Sequence, residues 1–502
     1  MSDQPPEAVL EELRGQVAEL RAANARLREV IEAKDAQLSV AQAALEAAEA
    51  RFAALSERVA GLERRLGKDS STSSRPPSSD SPYQKRPRDR SLRRRSGRKP
   101  GKQPGAESST LRQVGDPDDT VVCAPPRCRG CGESLAGAAA VGMHRLQEFD
   151  ITPPPPPRVT EYQVQAKGCG RCGTVTAGQP PAGITGRAQY GPEVHAQAAN
   201  LASAHHVPVA RAAELMSAMT GVTVSSGWMA GVRGKAAARL DPFMDHVRGL
   251  LRAAGVLYAD ETPARAAGGL EYVHVACTEY LTCMHTGGRS AADIDAGGVL
   301  PGYAGTIVRD GYAGYAHLAD ALHAWCGAHN LRDLRDLYTF DPDGQIWARS
   351  MADLLIHANG AATAARAVGQ QRLDEQTLAE IRTWYRAAVA KGITDNQGKR
   401  RQAAPDGLRL ARRFRDHQDM ILRFVTDLAV GFTSNQAERD IRPVKVQQRT
   451  SGGCWRSLTG LADFAIVQSY LSTAAKWGIS KLDALRQLFT TGPWLPPAIA
   501  PP

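Results

Sequence analysis

Three carboxylates and four thiols in this chain have the types and spacing to do chemistry. Residues 255–262 read Gly-Val-Leu-Tyr-Ala-Asp-Glu-Thr, a run suited to a buried strand that delivers one carboxylate, Asp260, near its end. Residues 305–310, Gly-Thr-Ile-Val-Arg-Asp, repeat that arrangement with Asp310. If the two strands are neighbours in one sheet, the carboxylates emerge together, and like charges that close are stable only with a cation between them. An isolated Asp at a strand end is ordinarily a turn residue or a helix cap, so the case needs a third acid. Glu438 supplies it, in the stretch Ser-Asn-Gln-Ala-Glu-Arg-Asp-Ile-Arg-Pro at 434–443. There Ser434 or Asn435 caps a helix, Glu438 falls in its first turns, and Arg439, Arg442, Lys445 and Arg449 make the surroundings basic.

The thiols form two Cys-x-x-Cys pairs, Cys128 with Cys131 and Cys169 with Cys172. Four thiolates at this spacing complete a tetrahedral shell for Zn²⁺, and the glycines beside them let backbone amides turn toward sulfur. A redox centre would need only one such pair. Nine cysteines in all, with Cys123 outside the pairing, suit metal binding in a reducing compartment better than a disulfide framework. Cys326 and His329 lie one helical turn apart and lack a clear fourth partner, which favours a local structural role near the acids. His205 and His206 are adjacent, point apart on a helix, and do not form a metal pair.

Several elements must position these groups. Two strand-like runs, residues 272–278 and 280–286, follow the Asp260 strand and imply an antiparallel meander. Residues 331–427 are amphipathic and Arg-rich, too long for a simple connection, and read as a helical insertion. Residues 187–253 turn helical, with a break at His205-His206-Val-Pro208 and a Ser-capped entry near 221–228 that would suit a DNA-binding helix-turn-helix or, equally, helical packing without DNA contact. Residues 119–186 form the small β module around the thiols, and residues 476–502 form a C-terminal tail. The whole is a multidomain α/β chain.

At the other end, residues 7–67 hold a heptad. Alternate steps of four and three from Leu13 meet Val17, Leu20, Asn24, Leu27, Ile31, Lys34, Leu38, Ala41, Leu45, Ala48, Phe52, Leu55, Val59, Leu62 and Leu66. A 3.5-residue period kept this long implies a left-handed coiled coil, and Asn24 at an a-type position favours a parallel homodimer. Residues 68–118 begin as a Ser/Pro linker and become a basic tract carrying Lys85, Arg86, Arg88, Arg93, Arg94, Arg95, Arg98 and Lys99. The formal net charge is +10, nearly all of it from this tract, and such a run binds phosphate by counterion release without choosing a sequence. The chain has no apolar run approaching the ~20 residues that span a bilayer, and its start lacks a secretory pattern. The expectation is a soluble, cytoplasmic protein with a polyanionic partner.

Asp260-Glu-Thr-Pro, Asp310-Gly-Tyr-Ala-Gly-Tyr, Cys326-x-x-His329 and Asn435-Gln-Ala-Glu-Arg-Asp-Ile-Arg-Pro together resemble the catalytic signatures of the insertion-sequence-sixty-six family of bacterial transposases. The zipper-like start, the Ser/Pro and basic linker and the zinc-binding segment extend that resemblance over nearly the whole chain. It departs from the family at Gly327, where Trp is usual, and after Pro443, where a Gly-Arg-Lys run is usual. The resemblance implies an RNase H-like mixed sheet over residues 254–475, interrupted by the helical insertion, with Asp260, Asp310 and Glu438 as the DDE triad. Three such acids can hold two Mg²⁺ or Mn²⁺ ions about 3.5–4 Å apart for strand cleavage and strand transfer. It further implies double-stranded DNA partners, terminal inverted repeats and target, a nucleoid-associated location in a bacterium, and accessory proteins of the same element. Two other readings use the same residues: an RNase H-like nuclease or resolvase without strand transfer, and a non-catalytic zinc-containing DNA-binding regulator.

Overall fold

The computed structural model describes residues 6–67, 105, 111–153, 155–399, 401 and 403–498. The basic tract with Lys85, Arg86, Arg88, Arg93, Arg94, Arg95, Arg98 and Lys99 lies outside them.

The first element is one helix, α1 (Pro6–Gly67), rich in Ala, Leu, Glu and Arg and therefore strong in helix propensity. Its apolar heptad positions Leu13, Val17, Leu20, Leu27, Ile31, Leu38, Phe52 and Leu55 are all exposed in the single chain. A short hairpin follows, β1 (Ala166–Gly168) against β2 (Val175–Ala177). Four helices precede the main sheet: α2 (Pro192–Ala199), continued by a π turn at Asn200–Ala204, α3 (Val209–Thr220), α4 (Ser226–Ala237) and α5 (Asp241–Ala253). The break between α2 and α3 falls at residues 205–208. Gly221 closes α3 with φ +69°, a conformation that favours Gly, and Ser225 caps α4 by accepting the Trp228 amide. These helices share a core with the sheet. Phe243, Met244, Val247 and Leu251 line one face of α5 and join Leu257, Ile307, Tyr470 and Leu471, each such burial stabilising by roughly 1.5–3 kcal/mol.

The sheet has five strands: β3 (Val256–Ala266), β4 (Gly269–Cys277), β5 (Thr282–Gly287), β6 (Thr306–Arg309) and β7 (Leu322–Trp325). Their order is β5-β4-β3-β6-β7. β3, β4 and β5 form an antiparallel meander, whereas β6 and β7 run parallel to β3. Ala267 and Gly268, at φ +50° and +82°, make the two-residue hairpin turn between β3 and β4. A short helix, α6 (Ala291–Asp295), lies between β5 and β6.

After β7 the chain leaves the sheet for a run of helices: α7 (Gly327–Phe340), α8 (Ile346–Ala367), α9 (Glu375–Asn396), α10 (Ala404–Asp416) and the single turns α11 (Gln418–Ile421) and α12 (Arg423–Thr426). They bury an apolar cluster of their own, with Trp347, Tyr385, Phe414 and Phe424 inside it. The chain then returns through α13 (Asn435–Thr450), α14 (Leu458–Lys476) and α15 (Lys481–Thr490). α13 crosses β3 and β4, with Ala437, Ile441 and Val444 packed on Ala264, Val273 and Val275. Its orientation is fixed from below: Asp440, buried, accepts from Lys476 on α14 at 2.6 Å and from Thr282 on β5 at 3.0 Å.

Candidate active site

Parallel pairing of β3 with β6 brings the two aspartates level. Val256 faces Thr306, Leu257 faces Ile307 and Tyr258 faces Val308, so Asp260 and Asp310 each stand two residues beyond the last of these pairs. Both are half-buried. Glu438 reaches the same end from α13, one turn in from Ser434.

One sulfur holds these approaches together. Cys326 follows β7; its amide donates to the Arg309 carbonyl at 2.7 Å, and its Sγ accepts the Ser434 amide at 3.3 Å. The Gly327 amide donates to the Phe432 carbonyl at 2.7 Å. The ends of the Asp310 strand and of the Glu438 helix are thus tied through Cys326, which is also the N-cap of α7. Gly327 is packed against the Phe432 ring, and a Cβ there would fall 2.1 Å from it. The Trp usual in the related signature therefore has no room here.

The electrostatics follow from burial. Asp260 lies well above the ordinary carboxylate value, first because it is desolvated and then because the charges of Glu261, Asp310 and Glu438 oppose its own, with His329 pulling the other way. Burial alone would depress His329, but its hydrogen bond to Cys326 and that residue's charge raise it to about 9. Burial would raise the Cys326 thiol; His329 and the Ser434 amide bring it down to about 7. Cys326 and His329 therefore form a thiolate–imidazolium pair, favoured by the helix N-terminus at which the sulfur sits. His329 Nδ1, Asn330 Nδ2 and Ser434 Oγ are buried and find no hydrogen-bond partner among the described residues. Ser434 occupies the N-cap position of α13, but its hydroxyl makes no capping bond.

The three acids are neighbours in charge without forming a ligand shell. Among the described residues no group of three or more His, Cys, Asp or Glu side chains is placed to hold a metal ion. Glu438 is instead paired with Arg332 on α7, Oε1 to Nη2 at 3.0 Å, and Asp310 Oδ1 accepts the Tyr312 amide at 2.9 Å. Their chemistry still fits a hard divalent cation: carboxylate oxygens are the donors that Mg²⁺ and Mn²⁺ take, and a cation would relieve the mutual repulsion at Asp260.

Of the basic residues around Glu438, Arg439, Arg442 and Arg449 are exposed. Arg439 donates to Gln436 at 2.6 Å. Lys445 is half-buried with its ammonium on the Pro263 carbonyl; burial, then Arg449, lower it to about 8.

Both thiol pairs sit in turns of one shape. The Cys128 amide donates to Glu133 O at 2.9 Å, that of Gly132 to Cys128 O at 2.9 Å, and Gly132 has φ +78°. In the second turn the Cys169 amide donates to Thr174 O at 2.9 Å, Gly173 to Cys169 O at 2.8 Å, with Gly173 at φ +74°. The Cys131 and Gly130 amides hold the Cys128 thiol below its ordinary value, and Thr174 does the same for Cys172. Within each pair the thiols meet, but the four are not gathered into one shell.

Three residues of the site were not anticipated from the sequence. Arg332 lies three residues past His329 and so on the same helix face. Glu261 beside Asp260 and Tyr315 of the Asp310 segment are joined by a 2.8 Å hydrogen bond; both lie inside signature stretches, which is the signal that could have marked them.

Residues 187–462, more than half of the chain, match the sequence family described as Transposase IS66 family. The chain belongs to that family. Membership implies a DNA-processing enzyme whose substrate is DNA, and the match begins near α2 and ends within α14, so it takes in the whole sheet and all three acids. Residues 2–112 match a family of unknown function, DUF6444. An uncharacterized protein of Sinorhizobium fredii, y4qI, is 25% identical over 434 residues, covering 80% of this chain and 76% of its own. Among the described residues no helix is long and apolar enough to cross a membrane.

Proposed function

We propose that this transposase-family chain is a DDE transposase on an RNase H-like sheet, which cuts the ends of its insertion sequence and joins them to target DNA. The observation that carries the reading is the convergence of Asp260 and Asp310, level on adjacent parallel strands, with Glu438 brought to the same end by the Cys326–Ser434 tie. Asp260, Asp310 and Glu438 would hold the divalent ions, Mg²⁺ or Mn²⁺, and Glu438 would exchange Arg332 for them. When bound, such ions supply Lewis-acid polarisation of the phosphate and a nucleophile drawn from water or a DNA 3′-hydroxyl. Arg332, released from Glu438, and His329, charged and beside Asp260, would then face the phosphate. Arg439, Arg442 and Arg449, exposed on α13, would hold the backbone of the DNA flanking the cut, as would the tract 85–102.

Around this centre, α1 is read as a parallel two-stranded coiled coil. Cys128, Cys131, Cys169 and Cys172 are read as a structural Zn²⁺ site, closed when the two matching turns approach.

A supercoiled donor bearing the terminal inverted repeats, incubated with the chain and Mg²⁺, tests the reading. Joined products support it; nicks alone make the chain a nuclease, and retention of the DNA without breakage makes it a regulator. Asp260→Asn, Asp310→Asn and Glu438→Gln are each expected to lower cleavage by about a thousandfold or more, roughly 4 kcal/mol of transition-state stabilisation, with filter binding of DNA kept. Near-normal cleavage by any of the three removes that acid from the triad.

A further inference from the structure

Glu261 is a fourth carboxylate at the same strand end, and its commitments differ from those of Asp260. Successive residues of a strand point to opposite faces, so Glu261 turns away from its neighbour. Its side chain is only 3% exposed, and three donors take up its oxygens. Arg289, in the segment after β5, donates to Oε1 from Nε at 2.9 Å and from Nη2 at 2.5 Å. Tyr315, fully buried, donates its hydroxyl to Oε2 at 2.8 Å.

Both donors lead back to Asp310. Tyr315 lies five residues beyond it, at the end of the Asp310-Gly-Tyr-Ala-Gly-Tyr segment. Arg289 is stacked on Tyr312, 3.7 Å from guanidinium to ring centroid, and the Tyr312 hydroxyl donates to the Arg289 carbonyl at 2.8 Å. Tyr312 in turn gives its amide to Asp310 Oδ1. Arg309 completes the turn from inside, donating to the carbonyls of Asp310 and Tyr312, both at 2.9 Å, while lying over the Tyr315 ring. A closed circuit therefore runs from the residue after Asp260, through two tyrosines and an arginine, to the carboxylate of Asp310.

We infer that Glu261, Tyr315 and Arg289 are positioning residues that set the separation of Asp260 and Asp310, and hence the affinity of that pair for a divalent cation. The inference rests on the proposed metal-dependent reading of the three acids. It assigns Glu261 to the strand-to-loop latch and not to the ligand set, because its oxygens are already taken. A pair of carboxylates that repel each other drifts apart unless something outside the pair restrains it, and Glu261, Tyr315 and Arg289 bridge strand to loop beside both.

The test uses the full-length chain and Mn²⁺ alone as the probe, followed by calorimetry or electron paramagnetic resonance without DNA. Tyr315→Phe removes one hydroxyl and keeps the ring; it is expected to weaken Mn²⁺ binding by about tenfold, the loss typical of a supporting residue behind a metal ligand. The Mn²⁺ concentration giving half-maximal cleavage should rise in step, with the rate recovered at saturating metal. Arg289→Met, made at an exposed residue, tests the same latch if Tyr315→Phe does not fold, and is expected to shift Mn²⁺ affinity in the same direction. A purely structural role would lower the melting temperature and leave Mn²⁺ affinity unchanged, and that result in either folded variant overturns the inference while the parent reading stands. Failure of the unaltered chain to bind Mn²⁺ at all overturns the parent reading and the inference with it.

Discussion

At the scale of single residues, the centre depends on one sulfur. Cys326 is buried, accepts the Ser434 amide and carries the negative charge that keeps His329 protonated. Replacing it with Ala removes the main influence that raises the imidazole, leaving burial and Arg332, which favour the neutral form, against the charge of Asp260. Cys326→Ala is therefore expected to move His329 from about 9 to below the ordinary histidine value of 6.5, as followed by the NMR shift of its ring protons against pH. A His329 that stays charged through neutral pH in that variant would show that Asp260, and not the sulfur, holds its proton. The Cys-x-x-His spacing was visible in the sequence, and so was its nearness to the acids in chain order. What could not be read was the partner of the sulfur, because Ser434 is 108 residues away. Arg332 was hidden for the same reason: nothing local says that an arginine on α7 meets a glutamate on α13.

At the scale of elements, β4 and β5 carry a stacked pair of histidines, His274 and His285, with ring centroids 4.8 Å apart. Their Nε2 atoms meet the carbonyls of Gly288 and Asp293, which suits neutral rings that donate there. Burial, and then His274, lower His285 to about 4, and burial lowers His274 as well. Because the folded value is below the unfolded one, the unfolded chain takes up protons first as pH drops. Stability is thus complete above about pH 6.5 and falls as the pH goes down toward 4, by at most about 3 kcal/mol for His285. Urea unfolding at stepped pH measures this, and His285→Asn should flatten the slope; an unchanged slope would place the effect elsewhere. The strands themselves were legible where β-branched and aromatic residues alternate, as in β3, β4 and β5, and where an apolar run ends on Asp, as in β6. β7 was missed: Leu-His-Ala-Trp is four residues long, lies parallel to β6, and has neither alternation nor flanking turn signals to separate it from the helix that follows. The breaks and caps of α3 and α4 were readable from Pro208, Gly221 and Ser225, whose local chemistry suffices. That these helices share the core of the sheet was not, since shared burial is a property of the fold and not of any one stretch.

At the scale of the whole molecule, α1 exposes its apolar stripe along nearly its full length while the elements from α2 to α15 are packed around cores of their own. In the proposed coiled-coil reading a second copy covers that stripe, and Asn24 on the seam would select two strands in one register. Sedimentation of the full chain should therefore give a dimer, and Asn24→Leu should broaden it toward higher oligomers; a monomer at micromolar concentration would remove the coiled-coil reading. The helices from α7 to α12 raise a different matter. They leave the sheet at Cys326 and return at Ser434, so an excursion of about a hundred residues begins and ends at two atoms in contact. With its own apolar interior, it behaves as a graft whose stem is pinched shut. Its far portion could be shortened, enlarged or exchanged for another self-contained module without the sheet or the returning helices α13 to α15 registering the change, provided that Arg332, the first turns of α7 and the turns α11 and α12 that pack on β7 stay on the near side of the cut.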